Sequence, residues 1–170
     1  MMKFNEALLK ANEVVMKKYP LAAFYEMQGY LVPNNGKVEG KTDVDGTIDE
    51  EHTLLVYCIP GTITTITATF DEEQNVVVKK ISSPWCEDVI MTPYIGLTAD
   101  MAIDLVVKEL GPDAVSEGPI TLRHCLYPGE IEPKYFIGSI HACHSVGVYS
   151  GNVDTVNITS TTKFTQTYKA

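Results

Sequence analysis

The spacing of apolar residues along this chain changes from the period of an α-helix to that of a β-strand, and this change occurs twice. Residues 5–18 place apolar side chains every three or four positions, which predicts a first helix. Thr98 is a good N-cap residue, an apolar stripe follows it, and Gly111 ends the pattern. These features predict a second helix.

After each predicted helix, apolar and polar residues alternate, as they do in half-buried strands. Three such segments follow the first helix, and three follow the second helix in the same order. They cover residues 53–58, 62–70 and 76–81, and then residues 135–143, 145–149 and 153–158. The shared order indicates an internal duplication.

The predicted fold class is therefore α+β, with two copies of a helix packed on an antiparallel β-sheet. Residues 1–83 form the first copy, including an acidic loop at 37–52, and residues 84–97 connect it to the second copy at residues 98–170. Neither copy is large, so we expect one body with both helices on the same side of the sheet.

Composition and charge narrow the class of protein. The chain has 170 residues, 45% of them hydrophobic, and a net charge of −9, which argues against nucleic acid or an anionic membrane as partner. No apolar run is long enough for a transmembrane helix. The N-terminus lacks the features of a signal peptide. We therefore expect a cytoplasmic protein, or an exported one only if a signal peptide has been removed.

The acidic loop at residues 37–52 contains part of a calcium-binding pattern, in which alternating aspartates are followed by a glycine. Lys41 stands where the first calcium ligand would be, and His52 stands where the bidentate glutamate would be. The loop is better explained as a solvated hairpin turn, in which Asp45-Gly46 supplies the residue with positive φ. We expect that most of this loop can be removed without loss of the fold.

Histidine and cysteine residues form a candidate metal site, because zinc takes imidazole and thiolate ligands. The chain has four cysteines and no C-x-x-C pair, so a zinc ribbon is excluded. His141 and Cys143 share one face of an extended strand, and His124 or Cys125 on a neighbouring strand could complete a site. The alternative is that the thiols lie in the core and the imidazoles on a solvated face.

No catalytic motif is present, so we predict a protein that is not an enzyme and needs no cofactor. Cys143 with His124 or His141 could form a small Cys-dependent hydrolase, but a reactive thiolate needs an electropositive setting and this chain is acidic. Trp85 and Tyr94 lie in the connecting segment and are candidate binding residues, because an exposed aromatic side chain marks a contact site.

The chain resembles the PepSY family. An apolar strand at residues 66–70, a polar turn and a valine-rich strand from residue 76 form a closing hairpin, and residues 146–153 repeat it. This resemblance covers nearly the whole chain and implies a cystatin-like unit of one helix on a sheet. It further implies a peptidase-inhibitor-like protein without catalytic residues. Gln74 stands where that family commonly has a turn glycine.

The resulting hypothesis is a non-enzymatic binding protein that holds a protein or peptide partner on a sheet face or in a groove between the copies. The rival hypotheses are a metal-binding protein and a small Cys-dependent hydrolase. Residues 156–168 alternate with period two and predict a long C-terminal strand. An unpaired strand of this length favours association, so we expect that strand to pair within the chain or in a homodimer.

Overall fold

A computed structural model of the chain describes residues 1–34, 38–82, 96–124, 132–139 and 142–156. These residues form an α+β fold with two α-helices, Phe4–Lys18 (α1) and Ala99–Leu110 (α2). The strands are Met2–Lys3 (β1), Ala23–Pro33 (β2), Val44–Ile48 (β3), Leu54–Cys58 (β4), Thr64–Phe70 (β5), Val76–Ser82 (β6), Gly118–His124 (β7), Pro133–Ser139 (β8), Ala142–Gly147 (β9) and Val153–Val156 (β10).

The described strands belong to one antiparallel sheet in the order β10-β9-β8-β7-β2-β4-β5-β6. β3 lies off this path and pairs with β1 and with the end of β2. The strands β2, β4, β5 and β6 that follow α1 are neighbours in the sheet, as are the strands β7 to β10 that follow α2. The pairing of β2 with β7 joins these two halves.

Both helices pack on the same face of the sheet, because their buried residues belong to one hydrophobic core. Asn5 of α1 links the two halves: its Oδ1 accepts a hydrogen bond from the backbone of Ala99 at 2.8 Å, and its Nδ2 donates to the hydroxyl of Tyr135 at 3.0 Å. The predicted N-cap of α2 is present, with the Thr98 hydroxyl accepting from the backbone of Met101. α1 contacts β5 and β6, α2 contacts β8, β9 and β10, and both helices contact β3.

The strand pattern predicted from the sequence omitted the central strand β2 and, apart from the placement of His124 on a strand, the central strand β7. The pairing of β2 with β4 shifts between Phe24 and Glu26, which is a β-bulge. Phe24 and Met27 are therefore both buried toward the helices although they are three positions apart. The bulge interrupts the alternation by which a strand is recognised in a sequence.

The predicted strand at residues 135–143 is also incorrect, because two strands occupy this stretch. β8 ends at Ser139, and β9 begins at Ala142 and runs antiparallel to it. The predicted strand at residues 145–149 covers only the end of β9 and the turn after it. The alternating pattern predicts a single strand over residues 135–143, so it does not reveal the reversal of direction between β8 and β9.

The expectation that the acidic loop is a solvated hairpin turn is wrong for its second part. β3 lies within that loop, and Val44 and Ile48 are buried in the core. The carboxylate of Asp45 accepts hydrogen bonds from Asn34 and Thr47 and forms an ion pair with Lys3. Gly46 has the expected positive φ, of 90°. Removal of the loop would therefore remove a core strand.

Candidate binding surface

The face of the sheet opposite the helices is formed by every second side chain of the central strands. Gly29 marks the helix side, because a Cβ at Gly29 would lie 3.4 Å from the side chains of Phe4 and Ile48. Gln28 and Tyr30 therefore point to the opposite face. The pairing extends this assignment to their partners on β4 and β7, since Gln28 lies opposite Leu54 and Thr121.

One part of this face is closed around an ion pair at the centre of the sheet. Glu26 and Arg123 lie opposite each other on β2 and β7, with Oε2 and Nη1 3.6 Å apart and side chains only 5% and 14% exposed. Gln28 donates a hydrogen bond of 3.0 Å to Glu26, and the guanidinium of Arg123 lies 6.0 Å from the centre of the Tyr25 ring. Val56 and Thr65, on β4 and β5, are also buried there.

The other part of the same face is accessible, and we call it the open sheet patch. It extends from the middle of β2, β5 and β7 to the end of the sheet at which β2 and β5 finish and β4, β6 and β7 begin. Its residues are Gln28, Tyr30, Leu54, Thr67, Thr69, Val77 and Thr121, all of them at least partly exposed. Val77 has 37% of its surface exposed. The patch therefore combines apolar and aromatic surface with hydroxyl groups.

Six carboxylates lie at the end of the sheet where the open sheet patch is found, and we call them the acidic rim. They are Asp49, Glu50 and Glu51, next to β4, and Asp71, Glu72 and Glu73, in the turn between β5 and β6. The backbone of Asp49 donates to the carbonyl of Tyr30 at 3.0 Å, which places the first group beside the patch. The side chain of Gln74 donates to Glu50 at 2.8 Å and so holds the two groups together.

Hydrogen bonds keep members of the acidic rim ionised. The hydrogen bond from His52 holds the pKa of Asp49 below its usual value. Asp71 accepts a bond from the backbone of Asn75, which lowers its pKa in the same way. Partial burial raises the pKa of Glu50, but its bonds with the N-terminal ammonium group, its own backbone and Gln74 together outweigh this effect, and the net shift is downward.

The residues of the candidate metal site do not come together where the structure describes them. His124 ends β7 opposite Pro133 of β8, whereas Cys143 lies opposite Gly138 of the same strand. Pro133 and Gly138 are five positions apart, which is about 17 Å along a strand. Burial raises the pKa of the Cys143 thiol to about 11, so it is a poor nucleophile at neutral pH.

His141, Trp85 and Tyr94 lie outside the described residues. Within the described ranges, no group of three or more histidine, cysteine, aspartate or glutamate side chains is arranged to hold a metal ion. No helix in those ranges is long and apolar enough to cross a membrane. The open sheet patch was not predicted from the sequence, because recognising it requires the strand β2 to which Gln28 and Tyr30 belong.

No family model and no curated protein matches this chain. Among solved structures, it is similar to the crystal structure of a putative lipoprotein from Clostridium difficile 630. The two sequences are 13% identical, the match covers 85% of this chain and 90% of the other, and the TM-score is 0.47.

Proposed function

We propose that this protein is a non-enzymatic binding protein and that the open sheet patch holds a protein or peptide partner. One observation carries the proposal: apolar and hydroxyl side chains remain accessible across five neighbouring strands of a sheet whose other face is packed against helices. A sheet fixes these side chains rigidly, so a partner that binds there loses little entropy in the ordering of the surface.

The chemistry of the patch suits a protein surface. Tyr30 offers an aromatic ring whose centre lies 5.6 Å from that of His52, and Leu54 and Val77 offer apolar contact area. Aromatic residues are enriched in protein interfaces. Threonine hydroxyls from Thr67, Thr69 and Thr121 can both donate and accept hydrogen bonds.

We further propose that the two halves arose by duplication of one helix-plus-sheet unit. The support is that each helix precedes four strands that are consecutive in the sheet, and that the first strands of the two halves, β2 and β7, pair with each other. The short strand β3 would then be an insertion in the first copy. A peptidase-inhibitor-like role would be one form of such a binding protein.

The binding proposal can be tested with a phage-displayed library of random dodecapeptides, selected on the full chain. The patch variant carries Tyr30→Ser, Leu54→Thr and Val77→Thr, and Val77→Thr alone serves if the triple variant unfolds. Ile63→Thr is the matched control, because Ile63 is an exposed apolar residue in the turn between β4 and β5, at the other end of those strands.

Selected peptides should bind the wild-type chain and the Ile63→Thr control, and should lose most of their affinity for the patch variant. Peptides that bind all three proteins equally, or a selection without enrichment, would show that the open sheet patch is not a binding site.

A further inference from the structure

We propose that the partner held by the open sheet patch is a cationic segment in which lysine or arginine residues accompany apolar ones. This inference rests on the proposed function, since it concerns the partner of the same surface. It is carried by the charge that surrounds the patch.

The acidic rim is only partly neutralised within the described residues. The N-terminal ammonium group pairs with Glu50, and the ammonium group of Lys10 donates to the backbone carbonyl of Gln74 at 2.7 Å. In the described part of the chain, Glu51, Glu72 and Glu73 form no ion pair, and all three are exposed. Three exposed carboxylates at this end of the sheet thus have no cation paired with them in the described part of the chain.

On the side away from the acidic rim, the open sheet patch is bordered by a cation instead of carboxylates. Lys79 of β6 lies opposite Thr67 and is exposed, and beyond it Glu26 and Arg123 neutralise each other. The field over the patch therefore runs from the acidic rim to Lys79. A partner must place its cations toward the rim and its apolar residues over Leu54 and Val77.

Electrostatic complementarity of this kind selects partners and accelerates association, and like charges placed together are strongly unfavourable. A net charge of −9 repels acidic partners over the whole surface, so the apolar patch most favours a partner that brings positive charge. The rim lies at the edge of the contact, where charges remain partly solvated and need not lose their hydration.

The peptides selected on the wild-type chain are the probes for this inference. The rim variant carries Glu51→Gln, Glu72→Gln and Glu73→Gln, which avoids Asp49, Glu50 and Asp71 because these hold the local structure together. The matched control carries Glu13→Gln, Asp104→Asn and Glu109→Gln, which makes the same change in charge at exposed positions of the two helices.

We expect the patch-dependent peptides to be enriched in lysine and arginine. The rim variant should bind them about tenfold more weakly, and the helix control should bind them as the wild type does. Raising the salt from about 0.1 M to about 1 M shortens the screening length from about 10 Å to about 3 Å and should also weaken binding.

The outcomes separate this inference from the proposed function. Patch-dependent peptides without basic residues, or with equal affinity for the rim variant, would overturn the inference and leave the binding function standing. Peptides that do not depend on the patch at all would overturn the binding function first.

Discussion

Glu26 and Arg123 face each other across β2 and β7, so the ion pair between them spans the strand pairing that joins the two halves of the molecule. Both side chains are largely withdrawn from water, and Glu26 also accepts a hydrogen bond from Gln28. A charge left alone in such a place is far less favourable than either the pair or two apolar residues.

We predict that Arg123→Met lowers the free energy of unfolding by about 3 kcal/mol or more, because it leaves the Glu26 carboxylate buried without its counter-ion. The double variant with Glu26→Met should recover most of this loss. Urea unfolding measures both changes, provided that the slope of the unfolding free energy against urea concentration is the same for all variants. As a control, Lys3→Met removes a partly exposed cation from Asp45 and Asp100 and should change the stability by less than about 1 kcal/mol. A double variant as unstable as Arg123→Met would contradict the prediction.

The strand β3 provides a second prediction, which reverses the expectation from the sequence. Ile48 is fully buried and lies opposite Met2 and Leu31, so Ile48→Ala should lower the free energy of unfolding by about 2–5 kcal/mol. Val38→Ala, at an exposed position of the same loop, should leave it nearly unchanged. Denaturant unfolding measures the free energies of unfolding of both variants. Equal values for Ile48→Ala and Val38→Ala would mean that β3 is dispensable.

The sequence predicted the elements whose periodicity is unbroken. The α1 and α2 stripes, the capping residue Thr98 and the strands β4, β5 and β6 follow from their spacing and turn residues. The α+β class follows from the order of these elements. All of these features depend only on residues that are close together in the chain.

The features that the sequence did not predict depend on pairing between strands that are distant in the chain. The bulge between Phe24 and Glu26 obscures β2, and only the pairing of β2 with β7 brings Glu26 to Arg123. The open sheet patch likewise depends on the pairing of β2 with β4 and with β7, which are far from β2 in the chain. His124 and Cys143 lie opposite different ends of β8, and spacing along the chain does not reveal this separation.

The hydroxyl groups of Tyr57 and Tyr135 connect the sheet to the helices through hydrogen bonds. We therefore expect the protein to lose stability in alkali. Tyr57 donates to Asn12, and Tyr135 donates to the carbonyl of Leu97 at 2.7 Å. Burial raises the pKa of both phenols, that of Tyr135 from 10.0 to about 12. The folded state therefore keeps protons that the unfolded chain releases.

This contribution to stability is complete below about pH 10 and is lost as the pH rises toward about 12. Each tyrosine should lower the free energy of unfolding by about 1.4 kcal/mol per pH unit within that range. Tyr135→Phe should be less stable than the wild type at neutral pH and should show a shallower alkaline decline. Urea unfolding at a series of pH values measures both effects. A decline as steep as that of the wild type would exclude Tyr135 as a source.

The carboxylate of Glu132 closes the turn between β9 and β10, so we expect the protein to lose stability in acid. One oxygen accepts hydrogen bonds of 3.0 Å from the backbones of Tyr149 and Ser150, and the other accepts from the Ser150 hydroxyl at 2.7 Å. Partial burial raises the pKa of Glu132, but these bonds outweigh it, and the net shift is downward from 4.5. A Cβ at Gly147 would collide with this carboxylate.

We predict that Glu132→Gln lowers the free energy of unfolding by about 1–2 kcal/mol at neutral pH, since it replaces charge-assisted hydrogen bonds by neutral ones. The folded pKa lies below the unfolded one, so this stabilisation is present above about pH 4.5 and disappears as the pH falls through the folded pKa. The stabilities of wild type and variant should therefore converge in acid. A difference between wild type and Glu132→Gln that persists unchanged in acid would show that the charge of Glu132 does not hold the turn.

The variant Gly147→Ala tests the same contact from the other side. It should destabilise the turn, because the added methyl group displaces Glu132. The loss of stability in the double variant of Gly147→Ala and Glu132→Gln should therefore be smaller than the sum of the losses in the two single variants.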